Sequence, residues 1–353
     1  MPPIPERDAL FSPLEYAPSY VVYAPHFPYA LWLALLYRGA TLPSIANPSI
    51  VSGGLVGESK TDLHTLVGEL GRAHFAPFIT TLAGAASEKI KKSLAAAGLS
   101  FPLVAKPDIG RNGRGVKIVK SDGELSRYLA SFPNDVQMVL QRYIPDEGEA
   151  GVFYVRKPSE AHGRITSLTL KYFPKVVGDG TATVRELIKR DPRASRIARI
   201  YFKRNQRDLD RVIAAGEEYR LVSVGNHVRG ALFVDGAEHI TPAMTEVFDR
   251  IAKDIDGFYF GRFDVRFREL EDLKRGKDFT IIEYNGASSE PTHVWDRRTS
   301  VIATYRALLD HCRMAFAVGA ENRKRGAKPM SLREILRLRK IEIDLINRYP
   351  DEE

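Results

Sequence analysis

Two short segments near the end of the sequence space carboxylate, amide and guanidinium groups two residues apart. One phenylalanine separates Arg262 from Asp264, and one tyrosine separates Glu283 from Asn285. Successive side chains of a β-strand point to opposite faces, so each pair shares a face if its segment is a strand. Antiparallel pairing of the two segments would then bring two carboxylates and an amide together beside an arginine. Such oxygen ligands suit Mg²⁺, which also keeps water and phosphate oxygens.

The alternative for this pair of segments is the solvated face of an edge strand. Apolar residues alternate with or precede the polar ones, at Phe263, Val265, Ile281 and Ile282, so both strands are expected to contact a core. A polar patch beside a core needs partners. The residues alone leave a metal site and a solvated strand face open.

A second candidate for chemistry is a lysine that precedes a glycine-rich loop. Lys106 ends a predicted strand, and the loop runs from Asp108 to Gly115. Glycines allow the backbone to approach a phosphate and turn N–H groups toward it. The loop is not a P-loop, because no Gly-Lys-Ser/Thr follows, and not a Rossmann fingerprint, because a strand follows it. A plain hairpin loop is the other interpretation.

The elements that must position these groups are predicted from hydrophobic periodicity and capping signals. Strands are predicted over residues 101–106, 116–119, 136–141, 151–156, 165–172, 219–224, 231–234, 258–267 and 279–284. Helices are predicted over 60–71, 87–97, 122–131, 184–189, 191–215, 242–255 and 299–318, and from 331 onward. This mixture indicates an α/β chain, more narrowly an α+β one.

The order of these features resembles the ATP-grasp superfamily over roughly residues 58 to 318. A lysine, a glycine-rich hairpin and a strand ending at 141–144 come first, and Arg-x-Asp and Glu-x-Asn follow. The last two motifs resemble the D-alanine–D-alanine ligase branch, and residues 176–188 resemble the cyanophycin synthetase and glutathione-ligase branch. The resemblance implies two α+β lobes that sandwich ATP, a short N-terminal domain and a C-terminal helical tail.

The boundaries that this resemblance implies are 1–57 for the leading region, 58–148 for the small lobe, 149–320 for the large lobe and 321–353 for the basic tail. It also implies site residues. The metal ligands, for one or two Mg²⁺ or alternatively Mn²⁺, would be Asp264, Glu283 and Asn285. The nucleotide would be bound by Lys60, Lys106, Asp108, Gly110, Gly113, Arg114, Gly115, Gln141, Arg142, Tyr143, Ile144 and Glu149. The catalytic residues would be Arg262, Lys171 and Gly286, with Lys175 as a competitor of Lys171.

The implied reaction is ATP-dependent joining of a small-molecule or peptide carboxylate to an amine, or less often a thiol, through an acyl phosphate. A small-molecule kinase and a non-catalytic regulator that binds nucleotide or nucleic acid are the alternatives. Two departures from the superfamily bear on the substrate. The leading region is short, and Gln141 stands where an acidic residue is frequent.

Composition bounds these expectations. The 353 residues predict two to three domains, and a net charge of +8 favours an anionic partner. The single cysteine, Cys312, excludes an internal disulfide framework and a cysteine-rich zinc site. The N-terminus lacks the basic-then-apolar plan of a signal peptide, so a cytoplasmic protein is expected.

Three further segments carry expectations about partners. The apolar window from Tyr29 to Tyr37 is about half of the ~20 residues that a membrane span needs, which predicts a buried helix. Nucleic acid is disfavoured as a partner, because only Tyr201 to Arg207 interleaves aromatic and basic residues. The predicted tail helix has two apolar stripes, which suggests a homo-oligomer, with attachment to a membrane surface as the alternative.

Overall fold

The computed structural model describes residues 1–2, 11–111, 113–222, 225, 227 and 230–350. Within these residues the strands form three antiparallel sheets of four, five and two strands, and helices flank them. The predicted mixed α+β class is confirmed. Part of one predicted strand, Ser223 and Val224, lies outside the described residues.

The four-stranded sheet forms the centre of a small lobe. Its strands are β1 (Phe78–Leu82), β2 (Leu103–Pro107), β3 (Lys117–Val119) and β4 (Gln137–Arg142), in the order β1-β4-β2-β3. Helices α5 (Ser87–Ala96) and α6 (Asp122–Ala130) contribute apolar side chains to its core. Strand β2 alternates as the sequence predicts, because Leu103 and Ala105 enter this core while Val104 and Lys106 line a cleft.

The five-stranded sheet forms the large lobe. Its strands are β5 (Gly148–Val155), β6 (Arg164–Tyr172), β9 (Leu232–Asp235), β10 (Phe260–Phe267) and β11 (Phe279–Asn285), in the order β11-β10-β5-β6-β9. Helix α9 (Pro242–Lys253) buries its apolar face, with Met244, Phe248 and Ile251, in the core of this lobe. Phe263 and Val265 of β10 enter the same core, so the intervening charged residues point to the other side of the sheet.

Smaller elements complete the chain between and after these sheets. Strands β7 (Lys175–Val177) and β8 (Glu218–Arg220) pair with each other. The remaining helices are α1 (Ser19–Tyr23), α2 (His26–Leu36), α3 (Lys60–Thr65), α4 (Glu69–Arg72), α7 (Val184–Arg190), α8 (Ala198–Arg204), α10 (Leu270–Lys274), α11 (Val301–Lys324) and α12 (Leu332–Asn347).

Two helix predictions are wrong in extent. The predicted helix over 60–71 is two short helices, α3 and α4, because Val67 forms a β-bridge with Ile255 and Gly68 donates to the carbonyl of Asp254. The predicted helix over 191–215 is helical only from 194 to 204, and turns follow. Strands β1 and β7 were not predicted.

The prediction of a buried helix around Tyr29–Tyr37 is also wrong. Helix α2 runs beside α11 and buries Leu33, but Phe27, Leu31 and Leu35 are 75%, 65% and 72% exposed. The helix is apolar on all sides, whereas only one side of it packs on the protein. No helix among the described residues has the length and apolar character to cross a bilayer.

Helix α12 returns the chain to the small lobe. A capping box formed by Ser331 and Glu334 begins the helix, and Leu345, Ile346 and Tyr349 pack against the small-lobe core at its end. Several residues of its predicted apolar stripes remain exposed: Leu332, Leu336, Ile341 and Ile343. Homo-oligomerisation through this helix stays a prediction.

Candidate active site

A cleft of about 1260 Å³ lies between the small-lobe sheet and the large-lobe sheet. Every predicted site residue except Asp108 and Gly286 lines it. These residues are Lys60, Lys106, Gly110, Gly113, Arg114, Gly115, Gln141, Arg142, Tyr143, Ile144, Glu149, Lys171, Arg262, Asp264, Glu283 and Asn285. Groups that are far apart in the sequence therefore converge on one space.

Strands β10 and β11 pair antiparallel, which is the arrangement that the expected convergence of their polar residues requires. Arg262 lies opposite Asn285, and Asp264 lies opposite Glu283. A register shift follows directly after Asp264. The two carboxylates and the amide thus occupy neighbouring positions on the cleft side of the sheet.

Two cations hold the carboxylate of Asp264. Lys171 Nζ lies 2.8 Å from Oδ1, and Arg262 Nε lies 3.0 Å from the same oxygen. Burial by itself would raise the pKa of Asp264, but Arg262 and Lys171 outweigh burial and hold the pKa at about 2. Asp264 is therefore ionised at any physiological pH.

Lys171, on β6, also binds Glu149, which lies on the neighbouring strand β5. Its Nζ lies 3.0 Å from Glu149 Oε1, and Arg266 lies 2.8 Å from the other oxygen. Lys175, by contrast, is on β7, pairs with Glu218 at 2.6 Å and does not line the cleft. The structure therefore places Lys171, and not Lys175, in the cleft.

Lys106 and Gln141 connect the small-lobe sheet to β11. Lys106 Nζ donates to Gln141 Oε1 at 3.0 Å, and Gln141 Nε2 donates to the carbonyls of Ala76 and Ile282 at 3.2 and 3.1 Å. A carboxylate at position 141 would have no N–H to donate, which explains the glutamine. Burial lowers the pKa of Lys106 to about 8, against the opposing effect of Glu283.

Lys60 is a further cation beside the carboxylates of β10 and β11. It begins α3, and its Nζ lies 3.6 Å from Glu283 Oε1. Burial opposes ionisation of Glu283, but Lys60 and Lys106 lower its pKa below the ordinary value. The cleft thus places four cations, Lys60, Lys106, Lys171 and Arg262, around two ionised carboxylates.

The two predicted residues outside the cleft have local packing roles. The carboxylate of Asp108 accepts from Thr61 N at 2.8 Å and from the Thr61 hydroxyl at 2.7 Å, so it stabilises the first turn of α3. Gly286 N donates to Glu58 Oε1 at 2.7 Å. A Cβ at position 286 would lie 2.6 Å from the carbonyl oxygen of Gly53, so this close approach requires glycine.

The glycine-rich loop borders the same cleft. Gly113 and Gly115 have φ angles of 67° and 72°, a conformation that favours glycine. Residues from the end of the chain line the cleft beside this loop, namely Arg339, Glu342 and Pro350. Sequence reasoning missed these three, because tail residues some 220 positions after the loop carry no local signal of that contact.

A further part of the cleft wall lies beside Arg262, whose Nη1 donates to the carbonyl of Glu290 at 3.3 Å. The sequence-based prediction did not include Tyr23, Glu290 or Thr292. Glu290 accepts a hydrogen bond from the hydroxyl of Tyr23, which comes from the leading region. Burial raises the pKa of Glu290, against the opposing effects of Tyr23 and Arg262. Thr292 Oγ1, buried in the same wall, has no hydrogen-bond partner within the described part of the chain.

The predicted metal site has a modest set of protein ligands. The described residues contain no group of three or more His, Cys, Asp or Glu side chains arranged to hold a metal ion. Asp264 and Glu283 would supply two carboxylates and Asn285 an amide oxygen. This set fits Mg²⁺, which typically takes one or two protein carboxylates and completes its octahedron with water and phosphate oxygens.

The aromatic–basic stretch from Tyr201 to Arg207 belongs to the wall of the cleft. Tyr201 is fully buried and donates to the carbonyl of Gly230 at 3.0 Å, so its ring is not available for base stacking. Arg204 and Arg207 line the cleft. This arrangement favours a charged flank of the candidate site over a nucleic-acid surface.

No family model matches the sequence, and no curated protein sequence matches it. Solved structures similar to the chain include a bifunctional glutathione synthetase from Pasteurella multocida (18% identity, TM-score 0.39), the VanG D-Ala:D-Ser ligase from Enterococcus faecalis (14%, 0.42) and a D-alanine–D-alanine ligase from Bacillus anthracis (14%, 0.40). The similar regions cover 75%, 73% and 76% of this chain.

The chain spans 38%, 61% and 69% of the lengths of these three proteins, in the same order. Because the TM-scores and identities are low, the function proposed below rests on the geometry of the cleft.

Proposed function

We propose that this protein is an ATP-dependent ligase that joins a carboxylate to an amine and releases ADP and phosphate. The observation that carries the proposal is the register of β10 and β11. It sets Asp264 opposite Glu283 and Arg262 opposite Asn285, and this pair of strands faces Lys60 and Lys106 across the cleft. Few ligands other than a metal–triphosphate complex would match four cations and three oxygen ligands together.

The residues present fit such a complex. Asp264, Glu283 and Asn285 would hold Mg²⁺, which would neutralise charge on the β- and γ-phosphates. Lys60 and Lys106 would hold phosphate oxygens, and the glycine-rich loop would close over them. The adenine would lie against residues 141–144, which line the cleft.

The first half-reaction would take place beside Arg262 and Lys171. A carboxylate oxygen of the first substrate attacks the γ-phosphorus as the bond from that phosphorus to ADP breaks, which leaves an acyl phosphate and ADP. Arg262 and Lys171 are held in place by Asp264, so they would be positioned for the charge that develops on the transferred group. Removal of one such donor typically costs about 10²–10³ in rate.

The second half-reaction would use the part of the cleft that Tyr23, Glu290 and Thr292 line. A neutral amine attacks the acyl carbon, the carbon–oxygen bond to phosphate breaks, and the proton from the nitrogen passes to the departing phosphate, which gives an amide and inorganic phosphate. Arg262 contacts both Asp264 and the carbonyl of Glu290, so the same guanidinium would stabilise the tetrahedral intermediate. Tyr23 comes from the leading region, so this region would form a part of the wall beside the amine.

Release of ADP across a matrix of carboxylates and amines, with hydroxylamine as a trapping amine, tests the proposal. A ligase yields a hydroxamate with its own carboxylate, detected by mass spectrometry. Asp264→Asn should abolish hydroxamate formation, whereas Asp344→Asn, an exposed change on α12, should keep it. A phosphorylated hydroxyl compound without any hydroxamate would instead identify a kinase and refute the ligase assignment.

A further inference from the structure

The C-terminal segment 331–350 holds the glycine-rich loop at two points. Arg111 Nε in the loop lies 2.6 Å from Glu342 Oε1, and the hydroxyl of Tyr349 donates to the carbonyl of Ile109 at 2.6 Å. The Arg111 guanidinium also donates to the carbonyl of Leu55 at 2.9 Å. The start of the loop is therefore fixed by the end of the chain and by the leading region together.

Glu342 is unusual among the residues of α12. It is the one buried residue of this helix, with 4% of its side chain exposed, and its second oxygen accepts from Arg339 Nη1 at 2.7 Å. A buried carboxylate is tolerated when cations pair with it. Here one cation, Arg111, belongs to the glycine-rich loop, and the other, Arg339, lines the cleft itself.

The apolar contacts of the segment are few and lie at its end. Tyr349 is 4% exposed and packs against Phe132 with ring centroids 5.5 Å apart, and Leu345 and Ile346 join the same core. The other half of α12 exposes Leu332 and its neighbours, as described above. Such a segment docks through a small number of contacts, and two of these end on the loop.

We infer that residues 331–350 act as a strap that positions the glycine-rich loop, so that docking of α12 and binding of the nucleotide favour each other. The inference rests on the proposed nucleotide site. Glu342 and Tyr349 are positioning residues that act through Arg111 and Ile109. Because linkage is reciprocal, a strap that raises nucleotide affinity must itself be stabilised by the nucleotide to the same extent.

The test is calorimetric titration of the full chain with Mg²⁺ and the β,γ-imido analogue of ATP. Glu342→Gln and Tyr349→Phe should each raise the Kd by roughly fivefold or more, the lower end of typical coupling between sites. Asp344→Asn, exposed on the same helix, should bind as the wild type does. Tyr349→Phe keeps the ring in the core, so a loss of affinity there is not a loss of folding.

Two further measurements separate a strap from a merely structural helix. Arg111→Gln combined with Glu342→Gln should weaken binding no more than either single change, since the two act as one unit. The analogue should slow amide hydrogen exchange of residues 332–350 in the wild type, and less in Glu342→Gln. Unchanged exchange on nucleotide binding would overturn the inference.

Lys106→Ala distinguishes failure of the strap from failure of the proposed function. If this variant loses affinity while Glu342→Gln and Tyr349→Phe bind as tightly as the wild type, the strap is refuted and the nucleotide site stands. If Lys106→Ala also binds as the wild type does, the proposed nucleotide site fails, and the strap inference fails with it.

Discussion

At the scale of single residues, the candidate site is governed by charges that neutralise one another while buried. Asp264 lies between Lys171 and Arg262, and Lys106 depends on the neutral oxygen of Gln141. Burial lowers the pKa of Lys106 to about 8, although Glu283 opposes this shift. Nucleotide binding at the candidate site should therefore depend on pH in a defined direction.

Nucleotide affinity should fall as the pH rises above about 8. The free protein then carries a neutral Lys106, and binding of a phosphate must take up the missing proton, which costs about tenfold in affinity per pH unit. Titration with the imido analogue of ATP from pH 7 to 9.5 measures this. Lys106→Arg keeps its charge over the whole range and should flatten the curve. Constant wild-type affinity up to pH 9.5 would contradict the role of Lys106.

Glu58 should make the protein less stable as the pH rises from about 4.5 to about 7. Burial raises the pKa of Glu58 to about 7, despite its hydrogen bond from Gly286 N. A carboxyl group whose pKa is higher in the folded than in the unfolded protein contributes stability that is fully present below the unfolded pKa. This contribution is lost as the pH rises through the folded pKa. Thermal unfolding of Glu58→Gln should lack the part of the decline between about 4.5 and 7 that the wild type shows.

Glu88→Gln provides the matched control for that experiment. Glu88 has 78% of its side chain exposed on α5, so its substitution should leave the pH profile of unfolding unchanged. Parallel profiles for the wild type and Glu58→Gln would show that Glu58 does not titrate as described.

At the scale of elements, the motif strands are the part that the sequence predicts best. Their boundaries and alternation follow from a period of two in short apolar segments. Their antiparallel pairing, which was only a condition of the expected site, is found in the structure. The helices in 60–71 and 191–215 are predicted less well, because a β-bridge at Val67 and turns near Asp208 override helical periodicity. Local patterns do not contain these tertiary contacts.

Gly286→Ala should destabilise the contact between the end of β11 and the leading region. The new methyl group would meet the carbonyl oxygen of Gly53 at 2.6 Å and Asn47 Nδ2 at 3.0 Å. Overpacking of this kind typically costs about 1–3 kcal/mol, so the unfolding midpoint in denaturant should fall.

Gly123→Ala tests whether that loss is specific. Gly123 lies in α6, and a Cβ there would come no closer than 3.7 Å to another side chain. Alanine should raise helix stability by about 1 kcal/mol relative to glycine. Equal destabilisation by both substitutions would refute the packing argument for Gly286.

At the scale of the whole molecule, the cleft is assembled from four distant parts of the chain. The small lobe and the large lobe contribute the residues that the motifs predict. The leading region contributes Tyr23, and the tail contributes Arg339 and Glu342, which no motif predicts. The sequence predicts site residues that are close together in a motif. It does not predict parts of the cleft wall that come from segments far apart in the sequence, because these segments meet only in the folded chain.

Part of the net charge of +8 is concentrated around the cleft. Lys60, Lys106, Lys171 and Arg262 surround the cleft, and Arg204, Arg207 and Arg339 line its edges. A cleft with one predominant sign of charge concentrates anions and speeds their binding. The distribution therefore agrees with a triphosphate and a carboxylate as ligands.

The most direct test of the central claim is calorimetric binding of the imido analogue of ATP to the full chain, with and without Mg²⁺. The geometry predicts binding by the wild type that strengthens with Mg²⁺, a loss of at least roughly tenfold in Lys106→Ala, and a loss of the Mg²⁺ effect in Asp264→Asn. Lys92→Ala, which removes an exposed charge from α5, should bind as the wild type does. Absence of binding by the wild type, or equal binding by Lys106→Ala, would contradict the proposed function.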